Sequence, residues 1–332
     1  MRRDDPLPAP VRSPLTGGSD CELVRTIAAE TLIAAWAEQL GLDIRDELHG
    51  HEAITLYRCR RTGLRFFAPP DVAGSARLYA RLQRRAWYYE PSRRNGGAPT
   101  PRWEYHAALR EIAAGERVLE VGAGDGRFLA LARTAGVDAR GIELSPEAAG
   151  AARERGLAVD VIGLDDAARE HAGGFDAICA FQVLEHVAEP RPFLEAMIRL
   201  LRPSGRLILC VPNCGGYLAE LDDSLLNMPP HHMLHWTAGA FAALEGLLPL
   251  SLERVRYEPL AAHNVRGFVS ALRRRATRRL PAPLARALSN RYTNAGLRAA
   301  LRLGLRRLFR GHGLLVTFRR TAPAPRGPDG TG

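Results

Sequence analysis

The sequence predicts an α/β protein built on a doubly wound, mostly parallel sheet. Three observations carry that expectation. From Arg117 onward compact apolar runs alternate with helical stretches. The runs "RVLEVG", "DARGIEL", "LAVDVI", "FDAICAF" and "GRLILCVP" are apolar along both faces, as strands covered by helices on both sides must be. The first of them ends in a glycine-rich turn that opens directly into a helix. "LERVRYEPL" (252–260) and "LLVTFRR" (314–320) add two last strands, which makes a seven-stranded sheet.

The elements follow in order. Residues 1–12 and 321–332 are Pro/Gly-rich and read as disordered tails. Residues 13–100 form a small α+β module in which strand-like runs flank one helical stretch, "AETLIAAWAEQLG". Helical segments follow around Ser75–Arg85 and Arg102–Ala113. The core spans 101–260 and 313–320, and 261–312 is a helical insert before the last strand. No apolar run approaches the ~18 residues of a membrane span, and the basic N-terminus has no apolar stretch behind it to make a secretory signal. The five cysteines are odd in number and unpatterned, which argues against a disulfide framework and for a reducing cytoplasm. The net charge of +10 is unevenly placed, because residues 261–320 carry 15 Arg and no Asp or Glu. All 46 basic residues are Arg, a bias better ascribed to a GC-rich genome than to function.

"VLEVGAGDGRFLALA" is the most informative stretch. Gly122, Gly124 and Gly126 let the chain turn tightly between strand and helix and approach a ligand at the helix N-terminus. The dinucleotide fingerprint would need a third glycine at 127, where Arg127 stands. Two acids sharpen the reading: Glu120 lies in the strand before the loop, and Glu143 ends the next strand, where a carboxylate can accept both hydroxyls of a ribose.

With these residues the chain resembles the class I S-adenosylmethionine-dependent methyltransferases, which have a Rossmann-like fold. "LEVGAGDG" is similar to their first motif, "GIEL" to their ribose-binding acid, "FDAICAFQVLEHV" to their fourth strand and "LLRPSGRLILCVPN" to their fifth. The resemblance covers about half the chain. It implies that Glu120, Gly122, Ala123, Gly124, Asp125 and Gly126 hold the methionine portion of S-adenosylmethionine and that Glu143, with Leu144, holds the ribose. It also implies adenine near Leu164 and Asp165, Phe181 and Gln182 lining the site, and S-adenosylhomocysteine as product.

The N-terminal module resembles the zinc-ribbon-like start of many small-molecule and sugar methyltransferases, but the ligands are gone. Ser13, Thr16 and Thr62 stand at three of the four positions and only Cys59 remains, so a metal-free module is expected. "MPPHHMLHW" places His231, His232 and His235 in the long loop after the fifth strand, at the edge where a ligand crevice opens. A proton acceptor titrating near neutrality suits histidine. The candidates are His231 and His232, with His186 of "LEHV" as a further one, while His235 beside Trp236 reads as a packing residue. No metal is expected here, since adjacent His231 and His232 should point apart.

The insert spaces Arg298, Arg302, Arg306 and Arg310 every four residues beside Leu297, Leu301, Leu305 and Leu308, the pattern of one helix with a basic and an apolar stripe. Three readings stand open: a helical hairpin packed on its own protein with a solvated Arg face, docking on an anionic membrane, or binding of nucleic acid or another polyanionic acceptor. Its few aromatics argue against nucleic acid. The expected function is methyl transfer from S-adenosylmethionine to a small-molecule acceptor, such as a sugar, glycan or natural-product intermediate. It is expected in the cytoplasm or at the inner membrane face. The competing expectation is a non-catalytic, cofactor-binding scaffold of a membrane-associated assembly.

Overall fold

The computed structural model describes residues 10–85, 102–221, 224–288 and 290–322. The tails expected to be disordered lie outside the described residues apart from 10–12 and 321–322. The first three strands, β1 (Cys21–Ala28), β2 (Ala53–Cys59) and β3 (Arg65–Ala68), form an antiparallel sheet. The helix Ala29–Leu40 buries Leu32, Ile33, Trp36 and Leu40, one apolar face at helical spacing, and stops where Gly41 takes the left-handed conformation at φ 59°.

The second sheet holds β4 (Arg117–Val121), β5 (Asp138–Ile142), β6 (Val159–Asp160), β7 (Phe175–Phe181) and β8 (Leu201–Pro212). After β9 (Leu234–His235), β10 (Leu250–Pro259) and β11 (Arg310–Arg320) complete it in the order β10-β11-β8-β7-β4-β5-β6. β4 to β8 pair parallel, while β11 runs antiparallel to both β8 and β10. The doubly wound, mostly parallel seven-stranded sheet is thus as expected. Strand β6 is only two residues long, because it lies at the sheet edge and only Gly141 and Ile142 of β5 pair with it.

Strand β9 belongs to the other sheet. It pairs antiparallel with β3 through Arg65–His235 and Phe66–Leu234, so the loop after β8 becomes the fourth strand of the N-terminal sheet. The N-terminal module therefore packs over the carboxyl ends of the parallel strands. Around Cys59, Ser13 and Thr62 are buried, and Cys21 stands opposite it across the β1–β2 pair. Burial pushes the Cys59 thiol up, but hydrogen bonds with Ser13 and Thr62 outweigh it and hold the thiol below its ordinary value.

The insert does not form one long striped helix. It folds as helices Val265–Arg279, Ala282–Leu288 and Arg291–Arg302, after which Gly304 at φ 132° breaks the chain and Leu305–Leu308 make a 3-10 turn. Only Arg298 and Arg302 of the expected stripe share a helix. The Arg306 guanidinium reaches back to the Leu260 carbonyl at 3.4 Å, and Arg310 lies in β11 with its guanidinium 4.0 Å from the Tyr257 ring centre. The insert packs on the protein through Val265, Phe268, Val269 and Leu301. Among the described residues no helix is long and apolar enough to cross a membrane.

Candidate active site

A cavity of about 600 Å³ opens at the carboxyl ends of β4, β5 and β7. On one side lies the glycine turn. Gly122 and Gly124 take φ 74° and 54°, conformations open to glycine at little cost, and Glu143 fastens the turn by accepting from the Gly124 amide at 2.8 Å. Its other oxygen accepts from the Ser145 amide at 2.8 Å, so the carboxylate is fixed while both oxygens keep lone pairs for further donors. Glu120 is buried under the turn, and its Oε2 has no hydrogen-bond partner among the described residues. Burial, opposed by nearby Arg102, raises the Glu120 carboxyl well above its usual range. A ligand carrying a cationic group and a vicinal diol would satisfy this pair of carboxylates.

Ala123, Asp125, Leu144, Leu164, Phe181 and Gln182 also line the cavity. Gln182 sits where β7 ends, at φ 57°, a left-handed backbone unusual for a residue with a side chain and common where a chain turns at a site. Two expected residues stand elsewhere. Gly126 does not line the cavity: it caps the next helix at φ 76°, with an added Cβ falling 2.5 Å from Leu157 Cδ1, so its smallness serves packing. Asp165 points outward and pairs with Arg199 at 3.1 Å, and Ile162 joins Leu164 on the cavity wall in its place.

On the opposite side, the turn after β7 and the loop after β8 are knit together. The Glu185 carbonyl accepts from the Met233 and Leu234 amides at 2.8 and 3.0 Å, and His186 Nδ1 donates to the His231 carbonyl at 2.6 Å. The Tyr79 hydroxyl, from the helix Ala76–Gln83 of the N-terminal module, donates to the same carbonyl at 3.0 Å. His231 Nδ1 lies 2.8 Å from the Leu226 carbonyl and His232 Nδ1 3.1 Å from Asn227 Oδ1. The reasoning that His231 and His232 point apart is corrected: their rings stack at 4.4 Å and 19°, and the His186 ring stands 4.6 and 4.8 Å from them. The backbone bends sharply there because the His231 and His232 amides both return to the Met228 carbonyl. His235 lies outside the cavity wall, edge-on to Phe67 and bonded to the Asn227 carbonyl at 2.7 Å.

Burial drives the histidines down: His186 to about 4, His231 to about 3 and His232 well below its usual value. They are neutral at physiological pH. The same burial lifts Glu185 to about 8 and Glu258 to about 7. Those two acids line the cavity, and sequence reasoning missed them as site residues. Glu185 stood in plain view within "LEHV", since a carboxylate at the end of a buried strand needs a reason to be there. Glu258 gave no such signal, because its strand reads as ordinary alternation.

The model of the family described as "Methyltransferase domain" matches residues 77–250, just over half of the chain.

The chain belongs to the class I S-adenosylmethionine-dependent methyltransferases.

This methyltransferase is 37% identical over 142 residues to the ubiquinone biosynthesis O-methyltransferase of Xanthomonas axonopodis pv. citri (strain 306), covering 41% of this chain and 59% of that one. The protein of the same name from Xanthomonas oryzae pv. oryzae (strain PXO99A) is 36% identical over the same shares. The methyltransferase thus spans about three fifths of the length of the curated relatives it matches. Among solved structures, an S-adenosylmethionine-dependent methyltransferase from Archaeoglobus fulgidus overlays with a TM-score of 0.44 at 14% identity, covering 64% of this chain and 90% of that one. S-Adenosylmethionine fits the buried, unpartnered Glu120 oxygen and the anchored Glu143 described above.

Proposed function

We propose that this methyltransferase transfers a methyl group from S-adenosylmethionine to an oxygen of a small-molecule acceptor docked against His186, His231 and His232. The observation that carries this reading is one cavity that holds Glu120, the glycine turn and Glu143 at one end and the three imidazoles at the other. In this reading Glu120 and residues 122–125 hold the cationic methionine portion and Glu143 the ribose. Leu144, Leu164 and Ile162 flank the adenine, with Phe181 and Gln182 beneath the reacting centre. The cofactor supplies an electrophilic methyl group on a sulfonium. The protein's part is to align an acceptor with it, exclude water and take a proton.

The proton acceptor is a neutral imidazole of the wall. His186 is favoured because its Nε2 lies 3.9 Å from Glu185 Oε1, a carboxyl that stabilises the imidazolium once the proton has arrived. Oxygen as the accepting atom draws support from the O-methyltransferase relatives. The side chains of Phe193, Leu218 and Leu226 give the acceptor end an apolar wall suited to a molecule with a hydrocarbon part.

The insert supports docking on an anionic membrane face. Besides its arginines it exposes Leu272, Leu284, Tyr292, Leu303, Leu305 and Leu308, side chains that gain by leaving water. The N-terminal module reads as a metal-free relative of the zinc ribbon, held by its core.

Calorimetry with S-adenosylhomocysteine tests the cofactor end. Micromolar binding is expected, weakened by about 1.5–3 kcal/mol in Glu143→Ala, the cost of a lost charged hydrogen bond. No binding, or equal binding of NAD, would falsify the assignment. Binding without turnover across hydroxylated acceptors would point instead to a scaffold.

A further inference from the structure

We propose that His186, His231 and His232 form a binding site for a zinc-type divalent metal ion, with an open position toward the cavity that takes an oxygen of the acceptor. The inference rests on the placement of the acceptor end proposed above. One ring nitrogen from each of the three histidines lies within 4.8 Å of the other two, a convergence found nowhere else among the described residues. Around a tetrahedral zinc with nitrogen ligands at about 2.0–2.1 Å, such atoms stand about 3.4 Å apart, so closing the rings by roughly 1.4 Å completes the set.

The surroundings match what a histidine–metal site requires beyond its ligands. Each ring is oriented through Nδ1 by an oxygen: the His231 carbonyl for His186, the Leu226 carbonyl for His231 and the Asn227 side chain for His232. Carbonyls only accept, so Nδ1 carries the hydrogen and the lone pair of the neutral ring sits on Nε2. A ligating histidine is usually fixed in this way, its second nitrogen donating to a carbonyl or carboxylate. Three histidines and an open fourth position make the donor set of a catalytic zinc rather than a closed structural one.

An independent observation comes from Glu185. It is 1% exposed, it lines the same cavity, and beyond its own main chain neither carboxylate oxygen has a hydrogen-bond partner among the described residues. A buried carboxyl without partners is costly unless something cationic comes to it. A divalent ion on the histidine trio supplies that charge next to His186, while Glu185 offsets the cost of burying the ion. With the ion bound the rings serve as ligands. The acceptor hydroxyl then binds the ion through oxygen and passes its proton to the Glu185 carboxylate, and the oxygen attacks the methyl carbon as the C–S bond breaks.

The test uses the full chain, stripped with a chelator and titrated by calorimetry with zinc, alongside visible spectroscopy of the cobalt(II)-loaded protein. We expect one zinc per chain at micromolar affinity or tighter, and cobalt bands of tetrahedral intensity. The His231→Ala/His232→Ala variant should bind at least 100-fold more weakly, and Glu185→Gln, which keeps shape and removes charge, about tenfold. Should the double variant not fold, the single variant His186→Asn and the wild-type cobalt spectrum carry the decision. Zinc bound equally by wild type and a folded variant, or no stoichiometric zinc in a wild type that binds S-adenosylhomocysteine, overturns the metal site while leaving the methyltransferase reading intact. Failure of folded wild type to bind S-adenosylhomocysteine counts against that reading instead, whatever the zinc titration shows.

Discussion

Gly126 ends the glycine turn that Glu143 fastens, yet the two do different work. Glu143 faces the cavity and holds the Gly124 and Ser145 amides, so it shapes the turn as well as offering a carboxylate to a ligand. Gly126 faces the other way. A side chain there meets two penalties: a left-handed backbone, about 1–2 kcal/mol, and an overpacked contact with Leu157 at 2.5 Å and Ala152 at 3.0 Å, about 1–3 kcal/mol. Gly126→Ala should therefore lower unfolding stability in urea by about 2–5 kcal/mol. The folded fraction should keep its affinity for S-adenosylhomocysteine within about threefold. Lost affinity at unchanged stability would put Gly126 back among the cofactor contacts. The third glycine of "VGAGDG" is thus a packing residue in a motif that reads, as a string, like three binding residues.

At the scale of elements, the insert shows how one residue redirects a pattern. Leucine and arginine spacing from 297 to 310 favours a single helix, but Gly304 at φ 132° ends it, sends Arg310 into a strand and leaves Leu303 90% and Leu308 79% exposed. Two bare leucines among arginines suit insertion between lipid headgroups better than a solvated face. Replacing both, Leu303→Ser with Leu308→Ser, removes no buried contact. It should at least halve co-sedimentation with phosphatidylglycerol vesicles at low salt while leaving cofactor affinity unchanged. If the wild type itself stays in solution with such vesicles, membrane docking is wrong. The stop at Gly304 was readable, since glycine after a helical run is a common terminator. Strands β4, β7 and β8 were readable too, because each carries a largely apolar run, whereas β5 holds Asp138 and Arg140 and β6 is two residues long. What no local pattern carried is β9: two residues, Leu234 and His235, become a strand only because Arg65 and Phe66 arrive from far along the chain. That distant pairing also bends "PPHH" back toward "LEHV", so the three histidines were legible as residues but not as a cluster.

For the molecule as a whole, enclosing so many titratable groups sets how stability responds to pH. His186, His231, His235 and His312 are pushed down to about 4, 3, 3 and 4, and His232 well below its usual value, in each case first by burial. In the unfolded chain histidine takes up a proton near pH 6.5. Between there and about pH 4 the unfolded state binds more protons, and stability falls as pH falls. The acids act in the opposite sense. Burial raises Glu185 to about 8 and Glu258 to about 7, with Glu120 also well above its usual value, so the folded state binds more protons between about pH 4.5 and those values. Their contribution is lost as pH rises through that window. Below pH 6.5 the five imidazoles outnumber the three carboxyls, and above it only the carboxyls remain. Each net proton changes the unfolding free energy by about 1.4 kcal/mol per pH unit. Urea midpoints measured in a chelating buffer, which keeps metal ligation out of the balance, should therefore peak near pH 6.5 and fall toward both pH 5 and pH 8.5. Glu185→Gln should flatten the alkaline limb and leave the acid limb in place. A midpoint that climbs steadily from pH 5 to 8.5 would mean that the carboxyls of the cavity ionise freely, and that the enclosure described around Glu185 does not exist in solution.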